Sequence, residues 1–73
     1  MSERITRLRA ERLRRGWTLT YLTRTTGIST ADLSQIEWAK RYPFRGWRKR
    51  LAKAFGMTEE SLFPDASEAE RRP

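Results

Sequence analysis

Three of the four glycines, Gly16, Gly27 and Gly56, each follow directly on a stretch whose apolar residues recur at helical spacing. Glycine lacks a Cβ and accepts the left-handed backbone that ends a helix. These residues therefore mark the ends of helices one, two and four. No strand-like alternation, internal repeat or low-complexity block competes with this pattern, so the expected fold class is all-α, with five short helices joined by short loops.

Helix one is expected to carry Ile5, Leu8 and Leu13 on or near one face, with Ser2 as N-cap and Glu3 in its first turn. Helix two restarts at Thr18, a suitable N-cap, and closes at Gly27. The segment Ser29-Thr30-Ala31-Asp32 has the form of a capping box: Ser29 caps the Asp32 amide and the Asp32 carboxylate reaches back to the Ser29 amide. Helix three starts there. Leu33 and Ile36, three apart, take one face and leave Thr30, Ala31, Ser34 and Gln35 toward another.

Pro43 disfavours helix at Tyr42 and breaks the pattern. A fourth helix is then expected to turn Phe44, Trp47, Leu51, Ala54 and Phe55 inward and Arg45, Arg48, Lys49, Arg50 and Lys53 outward. Thr58 caps a last helix with Glu59 and Glu60 in its first turn, and Leu62-Phe63 is the final apolar pair. Residues 1–63 read as one domain, and 64–73 as a polar tail expected to be disordered.

A chain of 73 residues holds one domain, and at that size folding buries only about 60% of the unfolded surface. With no cysteine and no histidine, disulfides, thiolate sites and the usual zinc constellations are unavailable. Stability has to come from packing or self-association. The same absences, with no paired inward carboxylates and no glycine-rich phosphate loop, leave no nucleophile–base or metal constellation, so neither an enzyme nor a cofactor is expected.

Sixteen Lys and Arg face nine Asp and Glu, a formal net charge of +7. Such an excess is the electrostatic footprint of nucleic-acid binding, and arginine, which dominates here, suits bidentate recognition of phosphates and guanine edges. Charge alone does not choose, because a solvated surface or a membrane-binding one has the same balance. No apolar run approaches the roughly 20 residues that span a bilayer. The N-terminal apolar residues are interspersed with charges, unlike a signal peptide. A cytoplasmic protein is expected, without a membrane partner.

Residues 19–38 have the organisation of a helix-turn-helix: a short helix, a glycine turn and an amphipathic helix. Leu8-Arg9-x-x-Arg12, Gly16-Trp17-Thr18, Leu22, Gly27-Ile28-Ser29, Leu33-Ser34-Gln35-Ile36-Glu37, Lys40-Arg41-x-Pro43, Leu51-Ala52-Lys53-Ala54-Phe55-Gly56 and Leu62-Phe63 carry a resemblance to the phage repressor and Cro type of helix-turn-helix, the XRE family. The likeness extends over nearly the whole chain to residue 63. Each element is cheap alone; their joint order and spacing is specific.

The resemblance implies sequence-specific binding of double-stranded DNA by a repressor-like transcriptional regulator, acting as a homodimer on a palindrome. By the same likeness Thr30, Ala31, Ser34 and Gln35 face the major groove. The Gln35 amide can pair bidentately with adenine, and Thr30 and Ala31 offer methyl contacts to thymine. Phosphate contacts would come from the start of helix two at Thr18 and Thr20, where amides point at anions, from Lys40 and Arg41, and from Arg9 or Arg12. Arg12 and Glu37 match a salt bridge between helices one and three. Gly27 sits at the turn between two helices, where a positive φ is favoured.

The chain departs from the family pattern at several positions. Leu19 stands where a glutamine commonly anchors a phosphate. Thr23 replaces alanine at the closest approach of helices two and three, and Thr26 replaces an apolar core residue; both would loosen the motif. Ala39 stands where glycine usually ends helix three, and Arg45 and Arg48 where helix four is normally apolar.

Trp17 and Trp47 read as core, whereas Trp38 beside Tyr42 reads as exposed, free to pack on the sugar–phosphate backbone or on a second subunit. Arg48, Lys49 and Arg50 could extend a DNA footprint, bind an acidic partner or simply be solvated. The alternative function is therefore a protein-interaction module on the same scaffold, with weakened DNA readout and a protein partner bound through Trp38, Tyr42 and the basic fourth helix.

Overall fold

The computed structural model describes residues 6–64. They form α1 (Arg7–Arg14), α2 (Leu19–Thr26), α3 (Thr30–Glu37), α4 (Arg45–Phe55) and α5 (Glu59–Leu62), with no strand among the described residues. The fold is all-α, as the periodicity requires. Ser2, Glu3 and Ile5 lie outside the described residues, as does the tail from Asp65 onward.

Thr6 is the N-cap of α1, its hydroxyl accepting from the Arg9 amide. Thr18, Ser29 and Thr58 cap α2, α3 and α5 in the same way, accepting from Tyr21, Asp32 and Ser61. Each hydroxyl satisfies one of the amides that a helix start leaves without an intrahelical partner. The reciprocal half of the expected capping box does not form. The Asp32 carboxylate is turned to Arg41 instead, whose Nη1 donates to it at 2.9 Å.

Three helices end in the same hydrogen-bonded cap. After α3 the Ala39 amide donates to the Ile36 carbonyl and the Lys40 amide to that of Gln35. The amides of Gly16 and Trp17 close α1, and those of Gly56 and Met57 close α4, at the same spacings. This arrangement needs a left-handed residue just past the helix. Ala39 fills that place with a φ of 58°, among the described residues the only non-glycine at positive φ.

Leu8, Leu22, Ile28, Leu33, Ile36, Leu51, Phe55, Leu62 and Phe63 form the core, with Trp17, Leu19, Trp47, Ala54 and Met57 packed against it. α2 packs on α3 and α4, α4 on α5, and α1 on α3. Leu13, expected inward, is 50% exposed: it falls in the last turn of α1, where Arg12 rather than Leu13 faces α3.

The buried stripe of α4 also differs from the expected one. Phe44 precedes the helix as its N-cap, in extended backbone, and is exposed rather than inward. Pro43 is buried beside it. Arg48, expected on the solvated face, is buried at 4% exposure, while Arg45, Lys49, Arg50 and Lys53 are exposed. The positions 48, 51, 52 and 55 are spaced i, i+3, i+4 and i+7, one helical face. Arg48 is tolerated on it because its Nη1 donates to the Pro43 carbonyl at 2.9 Å and Glu59 lies 3.8 Å from its Nε.

Candidate nucleic-acid interface

α3 separates its residues sharply. Leu33, Ile36 and Glu37 are buried, whereas Thr30, Ala31 and Gln35 are exposed and Ser34 is half-buried. The four residues assigned to base contact thus lie on the helix surface turned away from the core. Their side chains are short or, for Gln35, neutral and amide-bearing, and the charge beside them is the half-buried Asp32, paired with Arg41.

The orientation of α3 is set by α1. The Arg12 Nε donates to one Glu37 carboxylate oxygen at 2.5 Å and its Nη2 to the other at 3.0 Å. The third nitrogen, Nη1, donates to the Trp17 carbonyl at 2.7 Å. The Thr6 hydroxyl, besides capping its own helix, donates to the Glu37 carbonyl at 2.9 Å. Side chain and backbone of the last α3 residue are therefore both tied to α1. Of the two parts assigned to Arg12, phosphate contact and structural pairing, the geometry occupies the guanidinium with the second.

Gly27 occupies the turn with a φ of 77°, its amide donating to the Thr23 carbonyl at 2.7 Å. A β-branched residue would be strained in that backbone. Thr26, read as a weak point in the core, is buried with its polar atom satisfied: the hydroxyl donates to the Leu22 carbonyl at 2.7 Å and accepts from the Ile28 amide at 3.2 Å. The expected loosening therefore does not arise at Thr26, because its hydroxyl helps close the turn. Thr23 behaves differently, its hydroxyl being buried without a hydrogen-bond partner.

The remaining assigned residues sit in distinct settings. Thr18 and Thr20 are exposed at the start of α2. Lys40 is exposed in the α3–α4 loop, and Arg41, also exposed, pairs with Asp32 and lies 5.5 Å from the centre of the Trp47 ring. Arg9 is half-buried, its guanidinium 4.5 Å above the ring of Trp38. Its Nε is buried without a hydrogen-bond partner, so an anion could be met only by the terminal guanidinium nitrogens.

Several arginines have structural parts that no local signal announces. Arg15 donates to the Phe55 carbonyl at 3.1 Å, placing a cation at the C-terminal end of α4. Arg50 reaches the Thr26 carbonyl at the end of α2. The burial of Arg48 was legible in its spacing to Leu51, Ala52 and Phe55, although its charge argued for the surface. Trp38, Tyr42 and Phe44 are the large aromatic residues exposed around the α3–α4 loop, at 42%, 47% and 56%.

Among the described residues no helix is long and apolar enough to cross a membrane, and no cluster of acidic side chains could hold a metal ion. Neither curated proteins nor solved structures furnish a match to the chain. The family model described as a helix-turn-helix domain matches residues 6–62, from the cap of α1 to the end of α5. With that span and two capped helices joined through Gly27, the chain belongs to the helix-turn-helix domain family.

Proposed function

We propose that this helix-turn-helix domain binds double-stranded DNA in a sequence-specific manner as a transcriptional regulator, repressor-like and of the phage repressor and Cro type, with α3 in the major groove. The observation that carries this reading is the division of α3, with Thr30, Ala31, Ser34 and Gln35 on its outer side and Leu33, Ile36 and Glu37 inside. The net charge of +7 supplies the sequence-independent attraction to the phosphate backbone. In this reading Gln35 reads a base edge, Thr18, Thr20, Lys40 and Arg9 contact phosphates, and the protein is neither an enzyme nor a cofactor carrier. A homodimer would set two such helices into major grooves one turn, about 34 Å, apart.

The test is binding to a pool of random-sequence duplexes across a salt series, with selection of the bound fraction. The expected result is an enriched motif and a log–log salt slope of about −0.9 per phosphate contacted. Absence of binding at low salt overturns the reading.

A second reading, a protein-interaction module on the same scaffold, is favoured by the exposure of Trp38, Tyr42 and Phe44. Salt-dependent binding to duplexes without any enriched motif, together with capture of a protein partner that Trp38→Ala abolishes, would decide for it.

A further inference from the structure

Asp32 is the acidic residue in the first turn of α3, adjacent to Thr30 and Ala31 on the helix assigned to the groove. A carboxylate there repels a polyanion. Its position in the cap does not demand the charge, since the bond that closes the cap runs from the Asp32 backbone amide to the Ser29 hydroxyl at 3.1 Å. The carboxylate instead accepts from Arg41 at 2.9 Å, nine residues along the chain. Arg41 is one of the two basic side chains of the α3–α4 loop, and both members stay open to solvent, with 49% of the Arg41 side chain and 32% of the Asp32 side chain exposed. The Trp47 ring below the guanidinium holds it near the start of α3.

We propose that Asp32 competes with DNA phosphate for Arg41, so that the pair is a built-in limit on affinity at this interface. The inference rests on the DNA-binding reading above. The two anions cannot share the guanidinium on equal terms. While Arg41 stays on Asp32 it is already neutralised and displaces no counterion when DNA arrives. If it moves to a phosphate it leaves Asp32 uncompensated beside the backbone. An exposed pair of this kind is weak, so the competition tunes binding without preventing it. Removing the acidic charge while keeping the side-chain shape frees one cation and removes one repulsion.

The experiment compares the wild-type chain, Asp32→Asn and the double variant Asp32→Asn/Arg41→Gln on the duplex selected by the wild type, over a salt series, with helicity checked by circular dichroism. Asp32→Asn is expected to bind up to about fivefold more tightly at low salt. Its salt slope should steepen by about 0.9, one added phosphate contact. The double variant is expected to return to the wild-type slope. An Asp32→Asn variant with unchanged slope overturns the competition, and so does a gain that survives loss of the Arg41 charge. These outcomes leave the DNA reading intact, whereas absence of binding by all three chains overturns that reading and this inference together.

Discussion

The Arg12 guanidinium grips the Glu37 carboxylate with two nitrogens, joining the last turn of α1 to the last residue of α3. Side-chain exposures of 11% and 2% place this pair inside the fold. Its geometry uses all three guanidinium nitrogens, because the one left over donates to the Trp17 carbonyl. A pair so enclosed fixes the angle at which α3 leaves the core, while its net contribution to stability is small once the loss of hydration is counted.

Breaking one side of that pair should be costly. Arg12→Met leaves Glu37 buried and uncompensated and is expected to lose about 3–5 kcal/mol, a large part of what a domain of this size has. Arg12→Met combined with Glu37→Leu should recover most of that loss. Urea denaturation of the two single variants and the double variant checks this; additive losses would show that the residues do not act as a pair.

Ala39→Gly is expected to stabilise the protein. The left-handed conformation costs an L-residue about 1–2 kcal/mol, from which the extra freedom of glycine in the unfolded chain subtracts about 0.4–1 kcal/mol. The net gain is up to about 1.6 kcal/mol, and each 1 kcal/mol corresponds to a rise in Tm of about 4–8 °C. Thermal unfolding followed by circular dichroism reads it directly, and an unchanged or lowered Tm counts against the strain at Ala39.

If Gln35 reads a base, Gln35→Ala should relax preference at one base pair by about 1–3 kcal/mol and leave the others intact. The measurement is a set of affinities for the selected duplex and its single-base-pair variants. An equal loss on every duplex would remove Gln35 from the base-reading set.

Acid should destabilise the protein in part through Glu11. Hydrogen bonds from Arg14 and then Arg15 hold its carboxyl below the usual glutamate value, against the smaller opposing effect of burial. A pKa lower in the folded than in the unfolded state contributes stability that is complete above the unfolded value. That contribution disappears as the pH falls through the folded value. Glu11→Gln should flatten the acid limb of the stability–pH curve, and a nuclear magnetic resonance titration should place Glu11 below an unperturbed glutamate.

What the sequence by itself determined was the punctuation of the fold. Thr18, Ser29 and Thr58 open helices, Gly16, Gly27 and Gly56 follow their ends, and Leu33 with Ile36 turns α3 inward. Each depends on groups within three or four residues, so the local chain contains everything needed to decide it. Phe44 was not decided in this way: it stands as the N-cap of α4 in extended backbone, one residue before the helix whose buried face Arg48, Leu51 and Phe55 share. Tertiary structure decided the fate of most arginines; the Arg12–Glu37 pairing was implied beforehand by the family resemblance, and the burial of Arg48 was legible in its spacing. As a side chain each resembles the others, yet Arg12 closes on Glu37, Arg15 caps α4, Arg48 is drawn inside and Arg41 is held by Asp32 at the edge of α3. A guanidinium takes its part from whichever carboxylate or carbonyl the packing brings within reach, and for Arg12 and Arg15 those partners lie 25 and 40 residues away.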